Sequence, residues 1–380
     1  MKHLILVGAC YLDTILRKDW PSVPPLSPSN LPYSVPRYPE EDSKLRATCL
    51  KIRRGGNCPN SLEVLQQLLG GHDDVCPYLV SCLPEQSSPA TRRVMASFGS
   101  NTRVDFRHCI YRQGYTEAAS CYIIRSEESG SRTLVNYNDL PEMTTREFED
   151  IVRSFSAVQD TWWHFEGRIP DTTLDCIRML RNTLPAAQIS IEIEKPGRQG
   201  LPELAAEADV VFYSRAWAEY IVLPHGRVLT RRRIPRMTER RSPLSVDRAA
   251  ATSLPKRVSE TNDDGEGTTG GLPLQLLAYS LTEMTATDPW GCALGVQTAR
   301  PRCLSPQEGV FAAPWRISQE EFPAVGAGDT FIAGMLYGLV CPTKAWGISQ
   351  SVRFAVNLAT LKVQREGFGL GADVPARGAP

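Results

Sequence analysis

The residues with the clearest chemical potential are Val325-Gly326-Ala327-Gly328-Asp329-Thr330-Phe331, which run straight into an apolar helical face of Ile332, Met335, Leu336 and Leu339. Two glycines where a helix begins let the backbone come close to an anion. The first N–H groups of that helix have no partner inside it and point outward with the helix dipole behind them. Asp329 in the first turn has two readings. It can simply favour the positive end of the dipole, or it can serve as a general base beside a phosphate cradle.

A second set is Arg53-Arg54-Gly55-Gly56-Asn57-Cys58-Pro59-Asn60-Ser61, which opens a stretch with Leu62, Leu65 and Leu69 on one face and Gly70-Gly71 at its end. Asn57 reads as the cap of this helix, with Pro59 in its first turn. Capping leaves Gly55-Gly56 and the second amide, Asn60, unexplained, and that set can hydrogen-bond a polyhydroxylated ligand. Asp13 is the third signal. It closes the apolar run Leu4–Leu12, and in open α/β sheets ligands bind beyond the carboxyl ends of the strands.

Other phosphate and hydrolase signatures are absent. There is no G-x-x-x-x-G-K-[ST], and the third glycine of a dinucleotide fingerprint would fall at Phe331. Neither H-E-x-x-H nor G-x-S-x-G occurs, so metalloprotease and α/β-hydrolase chemistry drop away.

The elements that must hold these residues follow from the apolar patterning. Leu4–Leu12 reads as a strand buried on both faces, and similar runs recur at Trp162–Phe165, Ile189–Ile193 and Ala208–Phe212. Helical spacing lies between them, and near the C-terminus Ile348, Val352, Ala355, Val356 and Ala359 form a further face. Gly334 and Gly338, four apart, suit close helix packing. Strands alternating with helices give an α/β fold with a doubly wound, mostly parallel sheet. Lys44–Arg54, Ser120–Arg125 and Ser131–Tyr137 mix apolar and charged residues and read as a separate small sheet, a lid.

Composition bounds the rest. With 380 residues and 42% apolar content the chain can bury a large core. Its 42 basic and 42 acidic residues cancel, which removes the footprint of a dedicated nucleic-acid binder. Eleven scattered cysteines with no C-x-x-C pair fit a reducing compartment, and no apolar run reaches the ~18 residues of a membrane span. A cytoplasmic protein with no membrane partner is expected. Two segments stand apart: Trp20–Pro39 with seven prolines, and a tract from Arg227 to Arg257 with ten basic residues against two acids. Their composition reads as insertions without a packed core, over 20–37 and 226–271, within one domain whose lid strands fall near 40–54 and 103–137.

GAGDTF before a helix, Gly-Gly-Asn-x-x-Asn near the N-terminus and an Asp after strand one resemble the ribokinase-like carbohydrate kinases. The blocks GACYLD (8–13), YPEEDSKLR (38–46), RRGGNCPNS (53–61), SRTLV (131–135), WWHFEGR (162–168), IEIEKP (191–196) and VVFYSR (210–215) are similar to the ketohexokinase branch. The resemblance implies a ribokinase-like fold with a central sheet between helices and a β lid. It implies ATP-dependent phosphorylation of a small sugar at a primary hydroxyl, a ketohexose such as fructose, with Mg²⁺ carried by the ATP phosphates and no direct protein ligand to the metal. By resemblance Asp329 is the base, and Gly326, Ala327 and Gly328 form the anion hole. Asp13, Gly56, Asn57 and Asn60 bind the sugar, while Arg132, Gly291 and Asn357 approach the nucleotide. A homodimer through the lid is implied too. Glu192, Glu194 and Lys195 alternate along a strand and either order Mg²⁺-bound water or pair among themselves. The nucleotide loop is compressed to Trp290–Gly295, which keeps two alternatives open: a ribose or nucleoside kinase of the same family, and a non-catalytic relative that binds sugar or nucleotide.

Overall fold

The computed structural model describes residues 1–17, 41–42, 47, 49–69, 74–125, 132–214, 216–217, 326–341, 346–365 and 367–371, with the backbone of short strands at 275–276, 292–294, 296–297 and 310–312. The expected insertions at 20–37 and 226–271 and Gly291 lie outside the described residues.

Five strands build the central sheet: β1 (Lys2–Val7), β4 (Val75–Val80), β9 (Asp160–Glu166), β10 (Gln188–Ile193) and β11 (Val210–Tyr213). Their order is β11-β10-β9-β1-β4, with every pairing parallel. The apolar runs are continuous because both faces are covered, and the period-two alternation of a strand divides them. Leu4 and Leu6 face one core with Leu79, Trp162 and Phe212. Ile5 and Val7 face the other, with Val80, Trp163, Phe165 and Ile191. Helices α1 (Asn57–Leu68), α6 (Ala327–Val340) and α7 (Ile348–Val363) cover the first face. Helices α3 (Thr145–Val152), α4 (Pro170–Thr183) and α5 (Leu201–Glu207) cover the second. Helix α2 (Pro89–Ala96) lies beside β5 (Cys82–Pro84), which pairs with β6 (Ile110–Arg112).

The second sheet is mixed. It has the order β3-β2-β7-β8, from β2 (Tyr11–Arg17), β3 (Cys49–Gly55), β7 (Ser120–Arg125) and β8 (Arg132–Tyr137). The strand read over Leu4–Leu12 is therefore two strands in two sheets. The chain breaks at Gly8–Cys10, where a Cβ on Gly8 would lie 2.7 Å from Cys58 Sγ and 2.8 Å from a Glu166 oxygen. Ala9 gives its N–H to Glu166 Oε2 at 2.9 Å instead of to a strand. Asp13 consequently does not close β1. It sits within β2, opposite Arg53 of β3.

Helices α6 and α7 pack unusually close. A Cβ on Gly334 would fall 2.7 Å from Ala355 Cα, and one on Gly338 would fall 2.4 Å from Ser351 Oγ, so both glycines serve the packing. Among the described residues, no helix is long and apolar enough to cross a membrane.

Candidate active site

Helix α6 starts at Gly326, whose left-handed backbone (φ 85°, ψ 4°) is open to glycine at little cost. No side chain caps this end. The first hydrogen bond inside the helix runs from Thr330 N to Gly326 O, so the N–H groups of Ala327, Gly328 and Asp329 have no partner within the helix. The sequence places an acid at that end, and the structure buries it: Asp329 is 9% exposed.

Helix α1 grips Asp329 twice. Asn60 Nδ2 donates to its Oδ2 at 2.7 Å, and Ser61 Oγ donates to its main-chain oxygen at 2.9 Å. Burial pushes the Asp329 carboxyl up to about 7. The Asn60 hydrogen bond and the charges of Arg54 and Lys362 oppose that rise, and the charge of Glu194 adds to it.

Three more acids converge from the carboxyl ends of β9 and β10. Glu166 is raised to about 7, first by burial, then by the charges of Glu194 and Asp329 against the Ala9 hydrogen bond. Glu192 is raised well above the usual carboxylate range by burial and by the same neighbours. Asn57 Nδ2 reaches Glu192 Oε2 at 3.0 Å and Glu194 Oε2 at 3.4 Å. This corrects the capping role read for Asn57. The N-cap of α1 is Gly56, and Asn57 is the first helical residue, its side chain drawn away to the acids. It also supplies the partner of both glutamates, a role the sequence had offered to Lys195.

Gly56 holds φ at 106°, and a Cβ there would lie 2.1 Å from Ala9 O, so only glycine lets β3 turn into α1 at this point. Asp13 is buried, accepts Arg53 Nε at 3.4 Å, and lies where a Cβ on Gly55 would come within 2.6 Å of both its oxygens. Arg132 opens β8 opposite Arg125. Asn357 is exposed on α7. A cleft of about 50 Å³ opens beyond β1, β4 and β9, lined by Gly8, Ala9, Ser81, Asn138, Glu166 and Arg168. It has room for roughly three waters. Among the described residues, no group of three or more His, Cys, Asp or Glu is placed to hold a metal ion.

The segment that carries the N–H groups and the buried carboxylate at the start of α6 also matches known proteins. The profile described as pfkB family carbohydrate kinase matches residues 304–375. The chain resembles these kinases and has the ribokinase-like fold. Its structure aligns with ribokinase from Giardia lamblia at TM-score 0.62 and 12% identity, covering 96% of this chain and 93% of that one. It aligns with Arabidopsis thaliana ribokinase, solved with ribose and ATP, at TM-score 0.57 and 13% identity over 96% and 93% of the two chains. A nucleoside kinase from Methanocaldococcus jannaschii gives TM-score 0.59 at 12% identity, over 97% and 93%. By sequence, ketohexokinase of Mus musculus is 30% identical over 194 residues, 49% of this chain and 60% of that relative.

Two residues at the centre of this site escaped the sequence reading. Glu166 was within reach, because it is an acid ending an otherwise apolar strand. Arg54 was less so, since a second arginine in an exposed-looking strand carries no mark of burial, yet it is 5% exposed.

Proposed function

We propose that this protein is an ATP-dependent sugar kinase that phosphorylates a ketohexose such as fructose at a primary hydroxyl. The observation that carries the reading is the buried Asp329 carboxylate in the same first turn of α6 as three N–H groups without helical partners. Proton acceptor and phosphate cradle are thereby held on one rigid element.

In this reading the sugar lies against Asp13, Gly56, Asn57 and Asn60. Asn60 occupies Oδ2 of Asp329 and leaves the other carboxylate oxygen to the incoming hydroxyl. Asp329 takes that proton as the sugar oxygen attacks the γ-phosphorus; the bond to the β,γ-bridging oxygen breaks and ADP departs. The N–H groups at Gly326, Ala327 and Gly328 receive the charge that builds on the transferring group, where preorganised donors stabilise a transition state most. Mg²⁺, bound to the nucleotide phosphates, would neutralise the remainder. Arg132, Gly291 and Asn357 are assigned to the nucleotide side. The ketohexose assignment leans on the mouse ketohexokinase likeness.

The mixed sheet supports a homodimer. Leu50, Tyr122, Val135 and Tyr137 share one face by strand register, and all four are exposed. A second copy of the same face would bury them.

The test is ADP release by purified protein with Mg²⁺ and ATP, offered fructose, ribose, glucose, adenosine or no acceptor. Fructose-dependent turnover is expected. Turnover with another acceptor alone would move the substrate, and none with folded protein would overturn the reading.

A further inference from the structure

Arg54 and Arg53 are neighbours on β3, so their side chains leave opposite faces of the mixed sheet. Arg53 goes to Asp13. Arg54 goes into the protein, where it is held from four sides. Its guanidinium pairs with Glu63, donates through Nε to Ser97 Oγ at 3.0 Å, lies 4.2 Å from the centre of the Phe98 ring, and donates through NH1 to Asn60 Oδ1 at 3.2 Å. The other end of that same Asn60 amide donates to Asp329. Glu63, Arg54, Asn60 and Asp329 form one continuous chain.

A carboxamide offers an acceptor at one end and donors at the other, and a guanidinium can only donate. Whichever end of Asn60 faces Arg54 must be its oxygen. We propose that Arg54 is a positioning residue that locks the Asn60 amide with its NH2 toward Asp329, and so fixes the carboxylate that works as the base. Its catalytic consequence rests on the sugar-kinase reading, but the locking does not. Without Arg54 the amide is free to turn and set its oxygen against the carboxylate, which repels it. The groups facing Asp329 are Asn60 from α1, Arg54 from β3, Glu166 from β9, Glu192 and Glu194 from β10 and its end, and Lys362 from α7. Removing Arg54 leaves Lys362 opposed by three acids, so the base should also become harder to ionise.

The experiment compares wild type with Arg54→Met, Arg54→Lys, Asn60→Ala and the double variant Arg54→Met/Asn60→Ala. One readout needs no turnover: the ¹³C carboxyl resonance of Asp329, assigned by its loss in Asp329→Asn, titrated with pH. The other is kcat and KM against pH with the acceptor that works. Arg54→Met should move the Asp329 titration upward by about one unit. It should lower kcat by about 10- to 100-fold with the acidic limb displaced the same way, and change KM for ATP less than about threefold. In the Asn60→Ala background the same substitution should cost clearly less than in wild type, because the route through the amide is gone and only the loss of its charge remains. Should Arg54→Met not fold, Arg54→Lys carries the test. Lysine keeps the charge but cannot serve Glu63, Ser97 and Asn60 from one plane, so a smaller shift and loss are expected. An unchanged titration in a folded Arg54 variant, or fully additive losses in the double variant, would overturn the proposal. Wild type that transfers no phosphate would instead defeat the sugar-kinase reading, and the titration would still decide the role of Arg54.

Discussion

Asn60 and Asp329 stand 269 positions apart in the chain and 2.7 Å apart in space, the amide of one helix donating to the carboxylate that opens another. The bond joins the Gly-Gly-Asn and Gly-Ala-Gly-Asp segments, the two strongest signals in the sequence, into one site. It also offsets part of the cost of burying Asp329: a hydrogen bond to an ionised group contributes about 1.5–3 kcal/mol, against a desolvation cost of several, and the balance appears as the raised carboxyl.

Replacing Asp329 by Asn keeps the shape and removes the proposed base. The expected loss in kcat is about 10²–10⁴-fold. Sugar binding measured by calorimetry should change far less. Equal turnover by the two forms would remove Asp329 from the chemistry.

Burial of Asp329, with a carboxyl raised to about 7, sets the pH dependence. The base must be ionised to accept a proton, so kcat/KM should fall by about tenfold per pH unit below neutrality and level off above it. A steady-state profile between pH 5 and 9 checks this, and an acidic limb centred near 4 would contradict it.

Glu166 gives a prediction about stability. Its folded value of about 7 lies above the ordinary glutamate value of 4.5, so between those limits the native state holds more protons than the unfolded chain. Stability then declines as pH rises through that window, and the deficit is complete above about 7. Glu166→Gln can still accept the Ala9 N–H but carries no charge. It should raise Tm at pH 8, by an amount equivalent to about 1–3 kcal/mol, and leave it unchanged at pH 4. Thermal melts at the two pH values measure the difference.

Gly56→Ala should be among the most damaging substitutions outside the acids. The added methyl meets Ala9 O at 2.1 Å, and the backbone there is already at φ 106°. A cost of at least about 3 kcal/mol is expected, with loss of sugar binding in whatever protein remains folded. Chemical denaturation reports the first and calorimetry the second.

How much of this was legible in the sequence depends on what kind of signal each residue leaves. The strands at 160–166, 188–193 and 210–213 were plain because a strand buried on both faces is an unbroken apolar run. The same rule misled at Leu4–Leu12. Gly8, Ala9 and Cys10 are small and apolar, so nothing in their type marks the point where the chain leaves one sheet for another. Asn57 looked like a cap because local spacing favours that use. Its actual partners, Glu192 and Glu194, lie more than a hundred residues away, and no local pattern registers them. Arg54 failed for the same reason: its burial is made by α1, Ser97 and Phe98 together.

The distance along the chain between Asn60 and Asp329 also sets an order of events during synthesis. At about 5–20 residues per second, roughly 13–54 s separate the emergence of the two residues from the ribosome. For that interval the half-site on α1 waits without its carboxylate. The buried guanidinium is not stranded meanwhile, because Glu63, nine residues from Arg54, pairs with it from within the same strand-and-helix unit. The early-made half therefore carries its own counter-charge, while the apolar face of α1 still waits for α6.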